Sequence, residues 1–115
     1  MHELSVCQAM LNQVAEIATR ERAREVNRVV IQIGLLSGVV PELLQQAFTT
    51  AQVGTIAEHA ELLIETQPIR VLCLQCGKES EAKANRLICG ECGDYRTQLI
   101  SGDELLLASV ELTRE

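Results

Sequence analysis

Tryptophan is missing from this chain, and phenylalanine and tyrosine occur once each. A core without rings must be aliphatic, built from leucine, isoleucine, valine and alanine. So few aromatics also argue against a surface that stacks on bases or holds a ligand between rings. Basic residues are scarce beside acidic ones, 10 against 16, for a formal charge of −6. A nucleic-acid binder of this size normally carries a basic face. The one basic cluster, "TRERAREVNR" from Thr19 to Arg28, is interleaved with Glu21 and Glu25 and reads as a solvated helix end. Long apolar runs are lacking as well, since none reaches the ~18 residues of a membrane span. The start has no basic-then-apolar secretory pattern. The expected setting is soluble and cytoplasmic, with no nucleic-acid and no membrane partner. No Ser-His-Asp set, no phosphate loop and no histidine paired with a second one near an acid is present, so enzyme chemistry is not expected.

What remains is 115 residues, 47 % of them hydrophobic, enough for one domain or one domain carrying a small module. Leu4, Cys7, Met10, Leu11, Val14, Ile17 and Ala18 recur at three- and four-residue steps, which predicts a helix from about residue 3 to the low twenties. Cys7, on that stripe, reads as a small core residue. "VNRVVIQIG" is rich in β-branched residues and reads as a strand ended by Gly34. Pro41 suits the first turn of a second helix, whose stripe is Leu44, Ala47, Phe48 and Ala51, with Gly54 to stop it. "ELLIETQ" is a short strand. In the tail, Leu106, Ala108, Val110 and Leu112 share one face of a returning strand. The predicted class is α+β: two helices packed on a three-stranded sheet, with an excursion before the last strand. Residues 1–70 and 102–115 form one domain and 71–101 the other.

That excursion carries the strongest motif. "CLQCG" and "CGECG" are both C-x-x-C-G, with twelve residues between Cys76 and Cys89. The spacing lets one tight turn aim two sulfurs at one ion, and the glycine lets the chain fold back with positive φ. Cys73, Cys76, Cys89 and Cys92 make a tetrahedral set for Zn(II), which takes thiolates at about 2.3 Å. Redox dithiols sit more naturally at helix starts, which neither pair opens, and disulfides need an oxidising compartment. With four protein sulfurs the site has no open position and is structural. The stretch is too polar to fold unaided; metal binding would supply folding free energy of order ~10 kcal/mol. Four thiolates and one dication take the formal charge from −6 to −8.

The opening "MHE" offers a second, different donor set. The Met1 amine and the His2 amide nitrogen close a five-membered chelate ring, and that amide with the His2 Nδ1 closes a six-membered one. Three nitrogens then lie in a plane, an arrangement suited to square-planar Ni(II) or Cu(II) and poorly suited to Zn(II). The Glu3 amide does not reach the fourth planar place. Binding requires imidazole and amine to lose their protons, which they do near about 6.5 and about 7.7–8.0 when free, so affinity falls on acidification. His59, the second histidine, reads as a surface residue.

With both ends read, the chain resembles the HypA/HybF family of nickel metallochaperones for nickel–iron hydrogenase maturation. The resemblance runs through "MHELSVCQ", "VVIQIGLLSGV", the doubled cysteine motif and "SGDELLLASVEL". It implies a nickel-binding domain with a zinc ribbon inserted before its last strand. It implies nickel held through His2 with Met1 and nearby backbone assisting, so that His2, Met1 and Glu3 are the candidate nickel residues, and zinc at Cys73, Cys76, Cys89 and Cys92. Ni(II) is then cargo and Zn(II) structural. The implied partners are a nickel-handling GTPase and the hydrogenase large-subunit precursor, with urease maturation proteins in some organisms. Some family members carry an acid in the loop after the first strand; here Val40 stands there, with Glu42 the nearest carboxylate. The competing readings are a zinc-ribbon interaction or nucleic-acid-associated module and a thiol oxidoreductase.

Overall fold

The computed structural model describes residues 3–114. The chain opens with α1 (Glu3–Arg20), whose buried residues are Cys7, Met10, Leu11, Val14 and Ala18. Glu3 in its first turn and Arg20 in its last complement the helix dipole. The basic segment is not only a helix end. The helix stops at Arg20, Arg22 turns the chain with φ +56°, and β1 (Ala23–Gly34) begins at once. Arg24, Glu25, Asn27 and Arg28 are exposed there while Val26 is buried, so one inward side chain and the ladder suffice to extend the strand ahead of its apolar run. From Val29 to Gly34 all but Gln32 are buried.

Then α2 (Pro41–Ala51) starts with its proline in the first turn, after an extended Val40 that gives no side-chain cap. Leu44 and Phe48 are its buried residues. It ends at Ala51 with Gln52 as cap, ahead of Gly54, whose φ of +81° serves the turn beyond. Next come β2 (Glu61–Gln67), β3 (Ile69–Cys73), β4 (Glu79–Ala82), β5 (Thr97–Ser101) and β6 (Leu105–Arg114). They form two three-stranded sheets, β2-β1-β6 and β4-β3-β5. The architecture is α+β, as expected, and the last strand rejoins the first sheet.

The excursion is more ordered than its composition implies. In its sheet β3 pairs antiparallel with both neighbours, Ile69 opposite Ala82 and Cys73 opposite Thr97, with an irregularity between Arg70 and Val71. Ile69, Val71 and Cys73 alternate inward and are buried. The chain divides into two compact units. One holds the chain up to Ile31, Val39–Glu65 and the stretch from Leu106 onward; the other holds Gln32–Gly38 and Thr66–Leu105.

Candidate metal centre

Strand β3 delivers Cys73 into the first of two matching turns. The Gly77 N–H donates to the Cys73 carbonyl at 3.0 Å, and the Cys73 N–H donates to the Lys78 carbonyl at 2.9 Å. Gly77 takes φ +78°, a conformation that a side chain would oppose. Inside the turn the N–H groups of Gln75 and Cys76 point at the Cys73 Sγ, both at 3.3 Å. The second turn repeats this. Gly93, also at φ +78°, donates to the Cys89 carbonyl at 3.0 Å, and the Cys89 N–H reaches the Asp94 carbonyl at 2.9 Å. Glu91 and Cys92 aim their N–H groups at the Cys89 Sγ, at 3.3 and 3.4 Å. The Leu74 N–H, donating to the Arg96 carbonyl at 2.9 Å, ties the first turn to the chain leaving the second.

The two turns face each other. Cys73 Sγ lies 3.6 Å from Cys92 Sγ, and Cys76 Sγ lies 3.6 Å from Cys89 Sγ. All four sulfurs fall within 4.8 Å of one another. A tetrahedron of sulfurs at the zinc–thiolate distance has edges of about 3.8 Å, so the cluster matches a single ion's coordination shell. It does not match disulfides, whose sulfurs approach to about 2.05 Å. Neither pair opens a helix, as a redox dithiol would.

Backbone donors divide the four thiols into two kinds. The Cys92 N–H, then that of Glu91, brings the Cys89 thiol down to about 6. The Cys76 N–H, then that of Gln75 against some loss of water contact, lowers Cys73. Cys92 goes the other way, to about 12: the Asp94 N–H opposes the rise, but Cys73, lost solvation and the remaining thiols outweigh it. Cys89 and Cys73 are thus the more readily ionised sulfurs, while Cys76 is raised with Cys92, so a cation displaces protons most reluctantly from that second pair. Asp94 itself is held down to about 2 by Arg96, whose backbone N–H, Nε and Nη2 all donate to it.

Cys73, Cys76, Cys89 and Cys92 thus come together as the spacing requires. Glu3 stands at the start of α1, its carboxylate accepting the Val40 N–H at 3.4 Å. Met1 and His2 lie outside the described residues. Glu42 is exposed in the first turn of α2. Cys7 is fully buried, its thiol donating to the Leu44 carbonyl at 3.5 Å, and burial, followed by the charge of Glu3, pushes its pKa up. His59 is 85 % exposed beside Glu58. Sequence reasoning missed the N–H groups that serve Cys73 and Cys89; the glycine four residues after each of these cysteines is the signal that carried them.

Residues 1–112 match the protein family described as "Hydrogenase/urease nickel incorporation, metallochaperone, hypA". The hydrogenase maturation factor HypA of Aquifex aeolicus is 45 % identical over 112 residues, covering 97 % of each chain. That of Nitrosospira multiformis is 48 % identical over 112 residues, again 97 % of each. Among solved structures, the solution structure of the Ni metallochaperone HypA from Helicobacter pylori superposes with a TM-score of 0.72 at 27 % identity, covering 100 % of both chains. A second solution structure of a HypA protein gives 0.75 at 27 % identity, covering 100 % of this chain and 98 % of the other.

Proposed function

The chain belongs to the HypA family of nickel-incorporation metallochaperones, which carry metal and are not enzymes, and from that membership we propose that it binds Ni(II) at its first residues and delivers it to the precursor of the nickel–iron hydrogenase large subunit. His2 is the principal ligand, with the Met1 amine and the His2 amide completing three planar places and Glu3 beside them. The nickel-binding domain is 1–70 with 102–115, and the ribbon is 71–101. Zn(II) at Cys73, Cys76, Cys89 and Cys92 holds the ribbon in shape and supplies no open position for chemistry. A nickel-handling GTPase is the upstream partner, urease maturation a second destination, and the cytoplasm the setting.

The observation that carries this reading is the family match over residues 1–112, which takes in both the Met-His-Glu start and the four cysteines. The Glu3 carboxylate on the Val40 N–H supports it, since it anchors the residue next to His2 at the loop where some members place an acid. The fit of four sulfurs to one tetrahedral ion supports zinc. Among the described residues no helix is long and apolar enough to cross a membrane.

The test is a Ni(II) titration of zinc-loaded, untagged protein beside His2→Ala, following metal stoichiometry and visible absorption. One nickel per chain with a square-planar spectrum, lost in the variant while zinc is retained, is the expected result. A residue added before Met1 turns the amine into an amide and should abolish the same spectrum. Nickel binding that survives both changes rejects the N-terminal site and leaves a zinc-ribbon interaction module as the better account.

A further inference from the structure

Within each cysteine turn the two sulfurs stand differently. Cys73 and Cys89, first in their motifs, are 1 % and 2 % exposed. Cys76 and Cys92, second in theirs, are exposed residues. Each buried sulfur accepts two backbone N–H groups, those of Gln75 and Cys76 at Cys73 and those of Glu91 and Cys92 at Cys89. Each outer sulfur accepts one, from Lys78 at Cys76 and from Asp94 at Cys92. The asymmetry repeats in both turns and has one geometric cause. The N–H groups two and three residues beyond the first cysteine converge on its sulfur. The second cysteine ends that run, just before the glycine at φ +78° folds the chain back.

Four cysteines that share one zinc ion all act as thiolates, so protonation no longer separates them. Access and hydrogen bonding still do. The thiolate is the nucleophile. Each N–H bond to it stabilises the anion, and a more stabilised thiolate attacks more weakly. Exposure and donor number therefore point the same way, to the second cysteine of each motif.

From this geometry we propose that Cys76 and Cys92 are a modification site of the zinc-loaded ribbon, alkylated ahead of Cys73 and Cys89 by small neutral carbon electrophiles. The sulfur electron pair forms the new S–C bond while the bond from that carbon to its leaving group breaks. The leaving group departs with the second pair, as iodide does from iodoacetamide, and nothing is oxidised or reduced. A neutral thioether then stands where an anionic ligand stood. Release of the ion follows, and with it the loss of the folding free energy that the metal gave the ribbon. Cys7 takes no part, because it is fully buried with its thiol on the Leu44 carbonyl. The inference rests on the zinc reading proposed above.

The test uses the unmutated full chain, so no variant has to fold. Zinc content is measured first; a chain that holds no zinc rejects the metal reading and the modification site with it. Iodoacetamide is then added below one equivalent per chain. Peptide fragment masses locate the adduct, and a zinc-sensitive dye follows the ion against a control without reagent. The first adduct should fall on Cys76 or Cys92 about tenfold more often than on Cys73 or Cys89, with zinc released in step. An even spread over the four cysteines, or a preference for Cys73 and Cys89, overturns the proposal while the zinc reading stands. So does an adduct that forms on the outer pair with zinc fully retained. Excess Zn(II) should leave the alkylation rate unchanged. A rate that falls as Zn(II) is added means that the metal-free ribbon reacts, and this too overturns the site.

Discussion

At Gln52 one side-chain nitrogen meets three backbone carbonyls, those of Ala57, Glu58 and Ala60, at 2.8, 2.9 and 3.1 Å. The same residue caps α2, so it fastens the loop that leads from the helix to β2. Gln52→Ala should leave part-buried carbonyls unmet and cost about 1–3 kcal/mol, read from urea denaturation. Gln52→Glu should cost more, because a carboxylate would face three oxygens. A midpoint unchanged in both variants rejects this role. Nothing in the sequence marks Gln52, since its partners are carbonyls that any residue supplies. Cys7 was legible by contrast, because a small residue on an apolar stripe belongs in the core. Its pKa is raised in the folded state, so its share of stability is complete below the unfolded value, about 8.5, and is lost as pH rises through the higher folded one. Stability should therefore fall less steeply above pH ~9 in Cys7→Ala than in wild type. In the zinc-loaded protein iodoacetamide should leave Cys7 unmodified until denaturant is added.

Among the elements, those with a long apolar period were readable: α1 and β1 through their buried faces, α2 through Pro41, β6 through its alternating tail. The ribbon strands were not. β4 is "ESEA", which has no apolar alternation, and its place is set by pairing with β3. The helix-to-strand turn was hidden too, because arginine is an unexpected residue at positive φ. Gly34 was legible as the end of a strand but not for its main reason. A Cβ there would stand 2.1 Å from the backbone carbon and oxygen of Gly102. Backbone cannot rotate aside as a side chain does, so Gly34→Ala should destabilise by about 3 kcal/mol or more. Thermal unfolding checks this, and a shift within error of wild type would mean that the two chain segments separate freely.

Across the whole molecule, the cysteine cluster and the family membership were visible from motif spacing, while the place of Gln32–Gly38 in one compact unit with Thr66–Leu105 depends on which segments pack together, which spacing does not carry. If zinc organises the ribbon, a strong chelator should remove amide-exchange protection from Thr66–Leu105 while most of the far-UV helical signal of α1 and α2 persists. Simultaneous loss of both signals would show one cooperative unit. The strands that carry the chain into and out of the ribbon are lateral neighbours: Arg70 lies opposite Ser101, and the Ser101 hydroxyl donates to the Pro68 carbonyl at 3.3 Å. The two ends of the excursion are thus separated by one strand spacing, about 5 Å. Such a finger behaves as a cassette. Its tip can lengthen, shorten or be exchanged between lineages without moving the seam, and a splice across Pro68 and Gly102 would need only a tight turn to close the chain.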